Sequence, residues 1–222
     1  IKKPSGSPIE RESVQLLRAL GLILENATPE SVPTQVVNAI LDILKADIGA
    51  LLRLQDANYA DITSVYDRSM KRSQSGISLN LDNQPTLVNA IERRSQRPLF
   101  QDRNLDELED LYARLDIGQI GPVYFQPLVH DDEIVAVLMV ALPYTNRELN
   151  YQEEEILKGV AVIAAGLLAL SYQANDASLL AEERAIQAMV QGITPGEVTD
   201  ENVLNARQEM QATLQVARDQ IA

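Results

Sequence analysis

The chain has 222 residues, no cysteine, no tryptophan and a formal net charge of −13, with a pI near 4.5. Such a charge repels nucleic-acid backbones and anionic membrane surfaces, which argues against DNA, RNA or membrane partners. The lack of cysteine removes disulfides, thiolate nucleophiles and cysteine-based zinc sites together, and fits a reducing, cytoplasmic setting. With aromatics at 4%, the core has to be built from Leu, Ile, Val and Ala.

Residues 1–8 are rich in Pro, Ser and Gly, lack an initiator Met and lack an apolar signal region; they read as a linker within a longer protein. Ile9 to Asn26 then follows a helical period, with Val14, Leu17, Gly21 and Leu24 beside Leu16, Leu20 and Ile23. Pro29 and Pro33 flank the start of a second helix, Val32 to Lys45, whose apolar face is Val36, Val37, Ile40, Leu41 and Leu44. Strand Ile48–Leu54 turns at Asp56-Ala-Asn58 into strand Asp61–Asp67. Met70 to Gly76 is polar and reads as an exposed loop, and Ile77–Leu81 alternates as a half-buried strand. Asp82 is the expected cap of a short helix reaching Arg94, with Pro85 in its first turn. Pro98–Phe100 is extended, and Asn104 to Leu115 is helical, with Leu105, Leu108, Leu111, Tyr112 and Leu115 on one side.

The centre of the fold is a hairpin. Val123–Val129 and Ile134–Leu142 are apolar at nearly every position, so both faces of their sheet should be covered. Asn150 caps a long helix from Tyr151, with Glu153, Glu154 and Glu155 in its first turn. Leu157, Ala161, Ala164, Ala165 and Leu168 form one stripe, expected against the sheet. Ile156, Val160, Ile163, Leu167 and Leu170 recur in alternating steps of four and three, continuing to Ala174 and Ala177 for about three heptads. That spacing predicts a dimerisation seam; the competing reading is one broad face packed on the domain's own first helix. Gly192 to Gly196 breaks the chain, and Glu197 to Ala222 reads as a final amphipathic helix. The division is therefore a linker over 1–8, a domain over 9–173 and a helical, coiled-coil-like extension over 174–222.

The segments Ala46–Leu54, Ile77–Phe100 and Phe125–Val140, followed by the helix from Tyr151, resemble the GAF domain, a ligand-sensing fold of signalling proteins related in architecture to PAS domains. The resemblance spans about Glu10 to Gln173 and rests on element order and strand patterns rather than on a fingerprint; Ala136 stands where members usually carry Gly. It implies an α/β (α+β) fold: a central antiparallel sheet flanked by helices, with long N- and C-terminal helices. It also implies a cytoplasmic sensor, of the kind found in bacterial two-component signalling. Such a module would form a homodimer through its terminal helices and relay ligand or partner binding to an output domain outside this chain. A ligandless dimerisation and interaction scaffold is the alternative.

Family chemistries can be sorted by residue type. Bilin attachment through a thioether and methionine-sulfoxide reduction both require Cys, which is absent. Haem needs an axial His in a buried, converging site, and His130, the lone histidine, lies in an acidic turn. Asn104 and Glu107 fall where cyclic-nucleotide-binding members carry their signature, but the Lys and Phe of that signature are missing. Asp106 to Asp110 reads as a solvated helix face, and Arg93, Arg94 and Arg97 as cations on a helix's last turn. No Ser/His/Asp set or catalytic carboxylate pair can be assembled, so no enzyme activity, cofactor or metal is expected. If a small-molecule ligand exists, its contacts are expected from Tyr66, Arg68, Asp102, Tyr112, Tyr124 and Gln126, polar or aromatic residues on or beside the apolar strands. The other reading has these groups satisfying one another in a filled core.

Overall fold

The computed structural model describes residues 8–25 and 27–190, with side chains described for 14–25 and 27–181. The first seven residues of the expected linker, the break at 192–196 and the expected helix 197–222 lie outside the described residues.

Helices α1 (Pro8–Leu24) and α2 (Val32–Leu44) lead into β1 (Ile48–Leu54) and β2 (Tyr59–Asp67). Then come β3 (Arg72–Gln74), β4 (Ile77–Asn80), α3 (Pro85–Arg93), β5 (Arg97–Leu99) and α4 (Leu105–Arg114). The hairpin of β6 (Val123–His130) and β7 (Glu133–Ala141) precedes α5, a single helix from Tyr151 to Val190. The strands form one antiparallel sheet in the order β3-β2-β1-β7-β6-β5, with β4 also paired to β2. Segment 70–76 is thus not wholly a loop: β3 pairs with the end of β2 within it, a strand too short to leave a periodic trace.

The sheet separates two apolar cores. On one face α1, α2 and α5 pack over Leu51, Tyr124, Leu128, Leu138 and Val140. On the other, α3 and α4 pack over Ile48, Leu52, Ile62, Phe125 and Met139. Both faces of β6 and β7 are covered, as their unbroken apolarity requires. Asp131 and Asp132 join the two strands with φ of 49° and 61°, the paired left-handed conformation of a two-residue hairpin turn whose twist matches the strands.

Helix α5 lays Leu157, Ala161, Ala164, Ala165 and Leu168 on the sheet, all buried. Its start is a capping box: Asn150 Oδ1 accepts from the Gln152 and Glu153 backbone N–H groups, and Glu153 Oε2 accepts from the Asn150 N–H at 2.9 Å. Arg147 ties this cap to the body, donating to Glu153 and to the Leu44 carbonyl at the end of α2. Gly159 lets α1 approach closely, since a Cβ there would meet Leu16 Cδ2 at 2.7 Å. The stretch Tyr151–Ala181 is long and apolar enough to cross a membrane by length and composition, and 44% of its most apolar window is buried in the protein.

Candidate functional site

The proposed seam on α5 is the first candidate surface. Val160 is 0% exposed and Leu167 7%, both enclosed within their own protomer. Ile156, Ile163 and Leu170 are half-buried against the same core. Of the five seam positions read from the heptad spacing, Val160 and Leu167 are corrected to core residues of their own protomer, while Ile156, Ile163 and Leu170 keep part of their surface in solvent. Among the described residues of the two helices, the large apolar side chains left in solvent are Tyr151, Val162 (76% exposed), Leu179 and Leu180 on α5, with Val14 and Leu17 on α1. Tyr151, Val162 and Leu180 are spaced by 11 and 18 residues, whole numbers of turns, so they share one face of the helix.

The second candidate is the sheet face under α3 and α4. Leu87, Leu99, Leu108, Leu111, Tyr112 and Phe125 fill it and are fully or almost fully buried. The Tyr112 hydroxyl donates to the Gly121 carbonyl at 3.1 Å, and burial pushes its phenol pKa far above the ordinary tyrosine range. A Cβ at Gly121 would lie 2.5 Å from the Leu142 carbonyl oxygen, so this acceptor sits where only glycine fits.

At the edge of this face α3 and α4 are held together by Glu107, a residue expected on a solvated face. It is instead buried, 8% exposed. Its carboxylate accepts from the Thr86 backbone N–H and the Thr86 hydroxyl, both at 2.7 Å, and from Asn104 Nδ2 at 2.9 Å. An acid from α4 thus serves the free N–H groups and positive dipole end of α3. Asp82 does not cap that helix. It lies in a short 3-10 turn, Leu81–Asn83, capped by Asn80. Gln84, the residue before α3, donates from Nε2 to the Glu107 carbonyl and to Asp110 Oδ2. Asn104 and Glu107, the partial match to a cyclic-nucleotide signature, are therefore engaged with each other and with Thr86. Above them opens a cleft of about 540 Å3 lined by Asp82, Asp102, Arg103, Asp106 and Asp110.

The expected ligand contacts do not converge. Tyr66 packs on the core formed with α1, α2 and α5. Arg68 donates to the Leu41 carbonyl at 3.1 Å and lies 3.8 Å from Asp42. Tyr124 faces the same helical layer, its hydroxyl accepting from the Leu149 N–H at 2.9 Å. Gln126, two residues on along β6, shares that face; its Nε2 donates to the Pro127 carbonyl while its buried Oε1 has no hydrogen-bond partner. Tyr112 lies across the sheet from these four, and Asp102 is exposed at the cleft. Strand alternation explains the division, since the chosen positions of β2 and β6 point to the helical layer.

His130 ends β6, with its side chain 44% exposed and Nε2 3.6 Å from Asp131. Among the described residues no group of three His, Cys, Asp or Glu side chains could hold a metal ion. Arg94 pairs with Asp132 at 3.5 Å and Arg97 donates to Asn89, so the basic cluster is dispersed among separate partners.

No family model and no curated protein matches the chain. Solved structures do. The GAF domain from an Acinetobacter phosphoenolpyruvate-protein phosphotransferase has a TM-score of 0.56 at 16% identity, over 73% of this chain and 95% of that one. The phycoerythrobilin-bound GAF domain from a cyanobacterial phytochrome gives 0.58 at 14% identity, over 74% and 97%. The A. aeolicus nlh2 GAF domain in an inactive state gives 0.51 at 10% identity, again over 74% and 97%.

Proposed function

From the GAF-like fold that these likenesses show, we propose that the chain is a signalling module that works as a homodimer and acts in the cytoplasm. Two copies pair side by side through α1 and the solvent face of α5, and α5 carries the signal to an output unit beyond the domain. The observation that carries this reading is the set of exposed apolar residues: Val14 and Leu17 on α1, with Tyr151, Val162 and Leu180 in line on one face of α5. Half-buried Ile156, Ile163 and Leu170 border it and would complete their burial in the pair. A second copy fits better than an unrelated partner. The same α1–α5 pair on a two-fold mate offers an equally apolar, equally extended surface, so each copy covers the other's exposed line.

The input is less specific. One related fold is bound to phycoerythrobilin in its solved form, whereas this chain has no cysteine for a thioether and fills the face under α3 and α4 with its own side chains. That packing favours a protein partner over an interior small molecule as the input that biases the two arrangements of the helix bundle. The reading takes no enzyme activity and no cofactor.

Sedimentation equilibrium or light scattering on the purified protein tests the pairing. The expected result is a dimer that Leu17→Glu combined with Val162→Glu converts to a monomer with unchanged circular dichroism. A monomeric wild-type protein overturns it.

A further inference from the structure

Strand β1 contributes to both cores on alternate residues. Ile48, Ala50 and Leu52 belong to the core under α3 and α4, and Leu51 to the helical layer. Arg53, next on the helical side, reaches α5. Its guanidinium carbon lies 4.6 Å from the centre of the Tyr172 ring, and a guanidinium nitrogen lies 3.7 Å from Asp176 Oδ2. Tyr172 and Asp176 are one helical turn apart, so a single side chain grips a full turn of α5.

The backbone beneath this contact is irregular. The β1–β2 register shifts between Leu51 and Leu52, which leaves Thr63 as the extra residue of a bulge. Bulges re-aim side chains and bend the strand that carries them. Thr63 donates to the Leu51 carbonyl at 3.2 Å, and its side chain lies beside the buried Tyr172 hydroxyl. From the other side of α5, the Ser171 hydroxyl donates to the Pro29 carbonyl in the α1–α2 connection. Helix α5 is thus gripped over 171–176 by the sheet and by the helical layer. Past this grip Leu179 and Leu180 are exposed, and the helix runs on to Val190. A groove of about 330 Å3, also lined by His130, Asp131 and Glu133, keeps the guanidinium open to solvent.

We propose that Arg53 is the coupling residue between the sheet and the outgoing part of α5: stacked on Tyr172 and paired with Asp176, it carries movements of β1 into the helix where that helix leaves the body. The adjacent Leu52 packs under α3 and α4, so a change on that face is one residue away from the clasp. The inference rests on the reading of α5 as the output helix, which the grip itself does not require.

Hydrogen exchange followed by mass spectrometry on the full chain tests it. Arg53→Ala is expected to speed exchange over 172–181 by about fivefold, the size of one cation–π contact with its ion pair, while 156–168 stays unchanged. Asp176→Asn, an exposed change that cannot unfold the core, gives a smaller acceleration over the same residues. Leu52→Ala speeds the same segment in the wild-type background and adds nothing to it in the Arg53→Ala background. Unchanged exchange over 172–181 in both Arg53→Ala and Asp176→Asn overturns the proposal, and so does acceleration spread evenly along α5. Light scattering on the same samples separates the two ideas. Local loosening in a monomeric protein supports the clasp and removes the dimer, whereas a dimer with no local loosening removes the clasp.

Discussion

Single buried carboxylates organise the turns of this fold. Asp67, 2% exposed, accepts from the Met70 N–H at 2.9 Å and from the Tyr144 hydroxyl at 2.6 Å. Burial, with the hydrogen bond to Asp67 next in weight, pushes Tyr144 up to about 12. A phenol raised in the folded state adds stability that is complete below the ordinary tyrosine pKa of 10.0 and is lost as pH rises through about 12. Tyr144→Phe is therefore expected to cost about 1–3 kcal/mol at neutral pH, because it leaves a buried carboxylate short of a donor. It should also flatten the loss of stability between pH 10 and 12, as measured by urea unfolding across that range. Glu107 plays the equivalent part between helices. Glu107→Gln replaces one acceptor oxygen by a donor facing Thr86 and is expected to cost about 1–3 kcal/mol in urea unfolding. Neither role was legible in the sequence. Glu107 sits among Asp106, Glu109 and Asp110 in a run that reads as solvated, and its partner Thr86 is 21 residues away.

At the scale of elements, legibility followed the strength of the local pattern. The β6–β7 hairpin, the Asn150 cap and the sheet-facing stripe of α5 all carry periodic or capping signals, and each formed where those signals placed it. The three-residue β3 left no such signal. The heptad stripe was legible in part: its spacing marks an apolar face but does not say what covers it, and Val160 and Leu167 are buried within the protomer while Ile156, Ile163 and Leu170 are half-buried; beside Val160, Gly159 lets Leu16 of α1 come near. That close approach makes a prediction. Gly159→Ala asks only the flexible end of Leu16 to move and gains helix propensity, so its effect on stability should be small. Gly159→Leu has no room and must lever α1 away from α5, at about 1–3 kcal/mol by thermal unfolding. Equal effects of the two substitutions would mean that α1 does not rest there. The capping box gives a second element-scale expectation: Asn150→Ala removes the acceptor of two N–H groups and should cost about 1 kcal/mol by the same measurement.

For the whole molecule, charge and apolar surface pull in opposite directions. The chain carries −13, and two copies brought side by side through α1 and α5 also bring together the acidic first turns of α5, Glu153 and Glu154. The apolar line of Tyr151, Val162 and Leu180, with Val14 and Leu17 on α1, favours pairing regardless of salt, since its driving force is the removal of carbon surface from water. The repulsion between the copies is long-ranged, and it weakens once the Debye length falls to about 8 Å near physiological ionic strength. Association is therefore expected to tighten as salt rises from low to physiological levels, by several-fold in the dissociation constant from sedimentation equilibrium. An interface held by ion pairs would show the opposite trend. Arg53→Ala separates the terms further: it removes a positive charge near the exit of α5, so it should weaken pairing more at low salt than at high salt. A Val162→Glu variant, which damages the apolar line itself, should weaken it at both.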